Sequence, residues 1–200
     1  HTKDLDQAFE LARRAVELNP ERPEFLTWAG RVALNIGLKE TGLEYIRRAW
    51  ELDPDNHDLA LAYADLLARN GRPDDARGVM EEMPQTPDVM LSRILFELAD
   101  RKRARAEALF TEFGTMKFDD PQEKAFYQAQ AAEALGLRKQ AITFYGEVRD
   151  GDSALPASLR KAELIGLEGD FDSARAELVQ LRLQPDPLVI EQSWLTEARI

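Results

Sequence analysis

The chain has 200 residues, 44% of them hydrophobic and 32% charged, with a formal charge of -11 and no cysteine. That composition is ample for a buried core and excludes a disordered chain, while the charge argues against nucleic acid as the main partner and favours a basic, amphipathic or polycationic one. Without cysteine there is neither a disulfide framework nor a thiolate metal site, and periplasm and cytoplasm both stay open as compartments.

Leu5, Ala8, Phe9, Ala12, Ala15 and Val16 form an apolar stripe at helical spacing, so Leu5 to Leu18 reads as one amphipathic helix ended by Asn19-Pro20. Pro20 precedes Pro54 by 34 residues. The segment 1–20 is therefore expected to be the second helix of a truncated repeat, in a fragment that opens mid-repeat. No run is apolar enough to span a bilayer, and no signal sequence opens the chain, which leaves room for one upstream. The next segment, 21–55, predicts a helix from about Pro23 to Ile36, a turn at Gly37, and a second helix from about Lys39 to Leu52. Pro54 cannot continue that helix, and Asp55 or Asn56 can cap the next. Segment 56–86 repeats the plan: Ala64, Gly71 and Ala76 stand 34 residues after Gly30, Gly37 and Gly42, and Met83-Pro84 cuts the repeat short. Its second helix opens on Pro73-Asp74-Asp75, where a missing N–H is harmless and negative charge meets the helix dipole.

Segment 87–119 is irregular. Val89 to Ala99 and about Arg101 to Phe113 read as a helix pair, with Ala106, Phe110 and Phe113 in the second helix, but no glycine marks the turn. The pattern returns in 120–153 with Ala125, Ala129, Gly136, Ala141, Tyr145 and Val148. In 154–186 it continues with Ser158, Ala162, Gly169, Ala174, Leu178 and Leu181, bounded by Leu155-Pro156 and Pro185-Asp186-Pro187. Segment 187–200 reads as the first helix of a further, truncated repeat, with Trp194 in an aromatic slot and Ala198 in a small one.

A period of 34 with small residues inside two antiparallel helices resembles the tetratricopeptide repeat over essentially the whole chain. The fold class expected is an all-α, right-handed superhelical solenoid of antiparallel helix pairs. Small residues let paired helices approach, and each pair leaves an apolar side that only a neighbouring pair covers. A narrower resemblance lies in the second half. Phe126-Tyr127, Phe144-Tyr145-Gly146-Glu147-Val148, Gly151 and Leu155-Pro156-Ala157-Ser158-Leu159-Arg160-Lys161-Ala162-Glu163-Leu164 are similar to a stretch of proteobacterial outer-membrane lipoproteins built of these repeats. At least one of those serves as adaptor for a carboxyl-terminal processing protease that trims peptidoglycan hydrolases. The resemblance implies a location on the periplasmic side of the outer membrane, a lipid anchor outside this sequence, and protein partners of that kind.

In the repeat family the first helices line a concave groove, and residues not used in packing point into it. Carried over, the groove residues are Glu24, Thr27, Arg31 and Asn35, then Asp58, Leu61, Asp65 and Arg69. The later repeats contribute Glu123, Phe126, Gln130 and Glu133, then Leu159, Glu163 and Leu167. The plain alternative for each is a solvated helix face. A chaperone-tail clamp needs Lys and Asn at fixed groove positions, where this chain has Thr27, Arg31, Leu61 and Asp65, so that ligand is not expected. Arg101-Lys102-Arg103 with Arg105 is a basic cluster at a helix start, where positive charge opposes the dipole; an acidic partner surface or acids on a neighbouring repeat would favour it, and the plain alternative is a solvated face. Trp28 falls beside the packing positions and, if exposed, is a contact anchor.

Catalysis finds little support. His1 and His57 offer no metal pair, and no Ser-His-Asp spacing or phosphate loop is present. Asp53-x-Asp55-x-His57-Asp58 begins like a calcium loop, but Asp58 replaces the sixth-position glycine and Ala64 the closing acid. The expectation is a non-enzymatic adaptor scaffold without metal or cofactor. The alternatives are a scaffold of an envelope polysaccharide export or secretion system, and the repeat region of an enzyme whose catalytic domain lies outside the sequence.

Overall fold

The computed structural model describes residues 2–200, and among these it has twelve α-helices and no strand. They group into two compact units, one up to Pro84 and one from Gln85 to Ile200.

The first unit holds α1 (Thr2–Leu18), α2 (Pro23–Asn35), α3 (Lys39–Leu52), α4 (His57–Arg69) and α5 (Pro73–Glu82). Packing runs α1 on α2, α2 on α3, α3 on α4 and α4 on α5, so each helix meets its chain neighbours as in a repeat stack. The tightest approach is between α2 and α3. A Cβ built on Gly30 would sit 2.7 Å from the Ile46 side chain and 2.9 Å from the Gly42 carbonyl oxygen, and one on Gly42 would sit 2.6 Å from Leu34. Leu26, Ala29, Ala33, Leu43, Ile46 and Ala49 close the seam, all buried.

The second unit holds α6 (Pro87–Ala99), α7 (Arg103–Thr115), α8 (Pro121–Ala134), α9 (Arg138–Tyr145), α10 (Ala154–Leu167), α11 (Phe171–Leu181) and α12 (Pro187–Glu197). The pairs are α6 with α7, α8 with α9 and α10 with α11; α6 also meets α8, α9 meets α10, and α12 rests on α10 and α11. One core cluster joins Met90, Ile94, Ala106, Phe113, Ala131 and Leu135, and another joins Ala125, Ala129, Ala132, Ala141, Tyr145, Val148, Ala157 and Leu164.

Local chemistry sets the helix ends. Proline opens α2, α5, α6, α8 and α12, where its fixed φ suits the first turn. Asn56, Asp120, Asp170 and Asp186 accept backbone N–H bonds as N-caps. The turns inside the pairs share one geometry. Gly37, Gly71, Gly136 and Gly169 have φ between 76 and 90°, and the N–H of the following residue bonds back into the helix just ended.

The irregular pair follows the same rule with a different residue. Arg101 takes the left-handed position at φ 60°, and Lys102 N–H donates to the Glu97 carbonyl at 2.7 Å. The turn therefore ends one helix at Ala99 and lets α7 begin at Arg103, not at Arg101 as the sequence predicts. α6 likewise begins at Pro87, two residues before the expected Val89. α10 begins at Ala154, with Leu155-Pro156 inside its first turn instead of bounding it. In α12 the buried stripe is Val189, Ser193 and Thr196, whereas Trp194 and Ala198, expected to pack, are exposed. The stripe is set by contact with both α10 and α11, and one residue further round the helix faces solvent.

Candidate functional site

In the first unit a cavity of about 420 Å³ opens beside α2 and α4. Glu24, Thr27 and Arg31, one turn apart on α2, line it together with Asp58 at the start of α4. Trp28 lines it too and is 42% exposed. The loop before α4 supplies Asp53 and Asn56, whose side chains are bonded to each other at 3.0 Å. On α4 the lining continues with Leu59 and Ala62. Leu61 is half-buried and lies outside it; Asn35 is exposed beyond its end. Asp65 and Arg69 are exposed and pair with each other at 2.8 Å along one helix face.

In the second unit a cavity of about 380 Å³ is lined by Leu91 and Leu95 of α6, Gln130, Glu133 and Ala134 of α8, Tyr145 of α9 and Arg160 of α10. Its polar side is a network. Arg160 Nε donates to both Glu133 oxygens at 3.0 Å and its Nη2 adds a closer bond; Nη1 reaches Glu163 at 2.6 Å. The Tyr145 hydroxyl donates to Glu133 at 3.3 Å, and Arg199 stands 3.6 Å from Glu163. Bonding to Glu133 raises the Arg160 pKa, and burial, followed by the Glu133 charge, holds the Tyr145 phenol well above its ordinary range. Glu133 and Glu163, expected as groove acids, are thus partnered by Arg160 and tie α8, α9 and α10 together.

A further cavity of about 630 Å³ adjoins it, lined by Arg160, Glu163, Gly166, Leu167, Gly169, Phe171, Arg199 and Ile200. Leu167 stands exposed there, while Leu159 is half-buried and outside the lining. Glu123 is exposed near the start of α8. Phe126 is half-buried against the core, edge-on to Tyr127 and Tyr145 at centroid distances of 5.8 and 6.1 Å. Its ring serves packing more than a groove.

The basic cluster is tied to the protein itself. Lys102 pairs with Asp100 at 3.3 Å and Arg105 approaches the buried Glu97 at 3.8 Å. Arg103 bonds Glu107 at 2.8 Å and donates to the Leu135 carbonyl at the end of α8 at 2.7 Å, satisfying an orphan helix carbonyl. Arg101 serves the turn. The acids Glu97, Asp100 and Glu107 belong to the cluster's own helix pair, and the neighbouring pair supplies a backbone carbonyl instead of an acid.

Sequence reasoning missed Leu59, Ala62, Leu95, Tyr145 and Arg160 as lining residues. Leu59, Ala62 and Arg160 each sit one residue from a position carried over, Leu95 is on α6, for which no groove residue was carried over, and Tyr145 arrives from the second helix of its pair. Among the described residues no three His, Cys, Asp or Glu side chains are grouped to hold a metal, and no helix is long and apolar enough to cross a membrane.

Residues 40–89 match the family model described as the tetratricopeptide repeat. BBSome complex member BBS4 of Bos taurus is 34% identical over 68 residues, which is 34% of this chain and 13% of that protein. Among solved structures, yeast Tom70 superposes with a TM-score of 0.54 at 14% identity, covering 96% of this chain and 43% of that one. The structure of Naa15/Naa10 bound to HypK-THB gives 0.51 at 15% identity, covering 99% and 32%. The chain thus spans a small part of the curated relative it matches and less than half of each of these structures. The family match covers residues 40–89, and the solved structures share with this chain an all-α fold of helix pairs among the described residues. Scaffolds built of the tetratricopeptide repeat generally bind other proteins.

Proposed function

We propose that this chain is a non-enzymatic scaffold that holds protein segments against the exposed faces of its first helices, α2 and α4 in one unit and α6, α8 and α10 in the other. The observation that carries this reading is the division of labour within each pair. Small residues such as Gly30, Ala29, Ala129 and Ala162 are spent on packing, while Glu24, Trp28, Arg31 and Leu167 stay exposed beside cavities. BBS4, similar over part of its length, is by its name a member of a complex, which agrees with an assembling role.

The partners proposed are a carboxyl-terminal processing protease and its cell-wall hydrolase substrates on the periplasmic side of the outer membrane. This finer reading rests on the resemblance of the stretch from Phe126 to Leu164 to the lipoprotein adaptors. Holding enzyme and substrate on one scaffold raises their effective concentration without new chemistry. The test is a crosslinking capture from a Gram-negative envelope lysate with mass-spectrometric identification, run beside a variant carrying Arg31→Glu, Gln130→Arg and Leu167→Ala. Capture of a protease or wall hydrolase by the unmodified chain and its loss in the variant is the expected outcome. Capture of export or secretion components instead would replace the protease reading, and capture of nothing would overturn the scaffold reading.

A further inference from the structure

Trp28 is the one large aromatic of the first unit left 42% exposed beside a cavity. The same cavity carries three carboxylates, Glu24, Asp53 and Asp58, against one guanidinium, Arg31. Glu24 and Asp58 are exposed, and among the described residues neither they nor Arg31 form an ion pair, whereas most other arginines in the chain do. An indole face beside uncompensated carboxylates is suited to an alkylammonium or guanidinium side chain. The ring quadrupole attracts the charge, the carboxylates neutralise it, and the apolar stem lies on the ring. Acids alone would be a solvated rim; the exposed indole is what makes the surface selective for an organic cation with a stem.

From this geometry we infer that the α2–α4 face is a docking surface for a basic segment of a partner protein, with a lysine or arginine side chain seated against Trp28 between Glu24 and Asp58. The inference rests on the scaffold reading above and gives its first unit a chemical preference. Charge complementarity selects the occupant: the cavity has an excess of two negative charges by the groups just named, and the whole chain carries -11. Arg31 offsets one of the three carboxylates, and the single exposed indole seats one basic side chain.

The test uses the full chain and a short fluorescein-labelled peptide alternating lysine with leucine, beside its glutamate–leucine counterpart. Binding is followed by polarisation, and the indole N–H resonances of Trp28, Trp50 and Trp194 are followed by NMR. The lysine peptide is expected to bind, more weakly as salt rises, and to move the Trp28 resonance while leaving the other two. Trp28→Leu should weaken binding about two- to fivefold, the size of an exposed cation–π contact, with Trp28→Phe losing less. Glu24→Gln with Asp58→Asn should weaken it further, and Arg31→Gln should strengthen it. The control, Glu81→Gln with Glu82→Gln, removes two exposed acids of α5 outside the cavity and should change little. Equal loss in that control would reduce the effect to diffuse charge and overturn the inference, as would an unmoved Trp28 resonance. A concentration-dependent dimer abolished by Trp28→Leu would assign the surface to a second copy and overturn it too. If partner capture from lysate persists in Trp28→Leu while the peptide fails to bind, the docking inference falls and the scaffold reading stands. If the unmodified chain captures nothing, the scaffold reading falls whatever the peptide does.

Discussion

At the scale of single residues, Gly30 and Gly42 decide how close α2 and α3 come. Each would place a Cβ within 2.9 Å of the other's carbonyl oxygen, which no rotamer change can relieve because that atom is backbone. Gly30→Ala should therefore lower stability by about 1–3 kcal/mol, read as a shift of the urea midpoint at unchanged slope. Gly78 is the contrasting case: it sits in α5 with nothing within 4 Å of a built Cβ. Gly78→Ala should raise stability by about 1 kcal/mol through helix propensity alone. Both glycines stand inside predicted helices, and the sequence could only separate them by period. Gly30 recurs as Ala64 34 residues on, whereas the corresponding position before Gly78 is Glu44.

Within and between helices, the Arg160 network shows how a predicted groove residue becomes a structural one. Glu133 and Glu163 were legible as exposed acids of first helices because their spacing places them beside the packing stripe. That Arg160 holds both, and that Tyr145 donates to one of them, depends on helices many residues apart meeting at a given angle. The buried phenol gives a pH signature. Its folded pKa is raised above the ordinary value of about 10, so its contribution is whole below that pH and is lost as pH rises through the folded value. Urea midpoints measured from neutral to strongly alkaline pH should hold steady and then fall for the second unit. Tyr145→Phe should start lower at neutral pH, for want of the hydroxyl bond, and fall less steeply.

For the whole molecule, the two compact units make a prediction about cooperativity. Repeat arrays are stabilised by neighbour contacts, so a local defect is felt locally. Hydrogen exchange should show Gly30→Ala weakening protection in α1 to α5, and Arg160→Met weakening it in α8 to α11, each with little effect on the other unit. Equal loss in both units from either substitution would mean that they unfold as one. The divide after Pro84 follows from chain chemistry: α5 stops at Glu82 after ten residues, Met83 is already extended, and Pro87 opens the next helix.

The sequence by itself determined the repeat period, the helix pairs, most helix starts and the small-residue seams. These depend on local rules: proline at a first turn, a side-chain cap, glycine at positive φ, apolar spacing along one helix. Only the tertiary structure decided which exposed residues share a cavity. Glu24, Trp28, Asp53 and Asp58 come together because α2, the loop between α3 and α4, and α4 itself pack at a particular rotation, which no single-helix pattern encodes. The same holds for Arg101, a left-handed turn residue in the place where the other pairs use glycine. The 6→1 bond and the packing of α6 on α7 impose that conformation on a side chain that would not choose it.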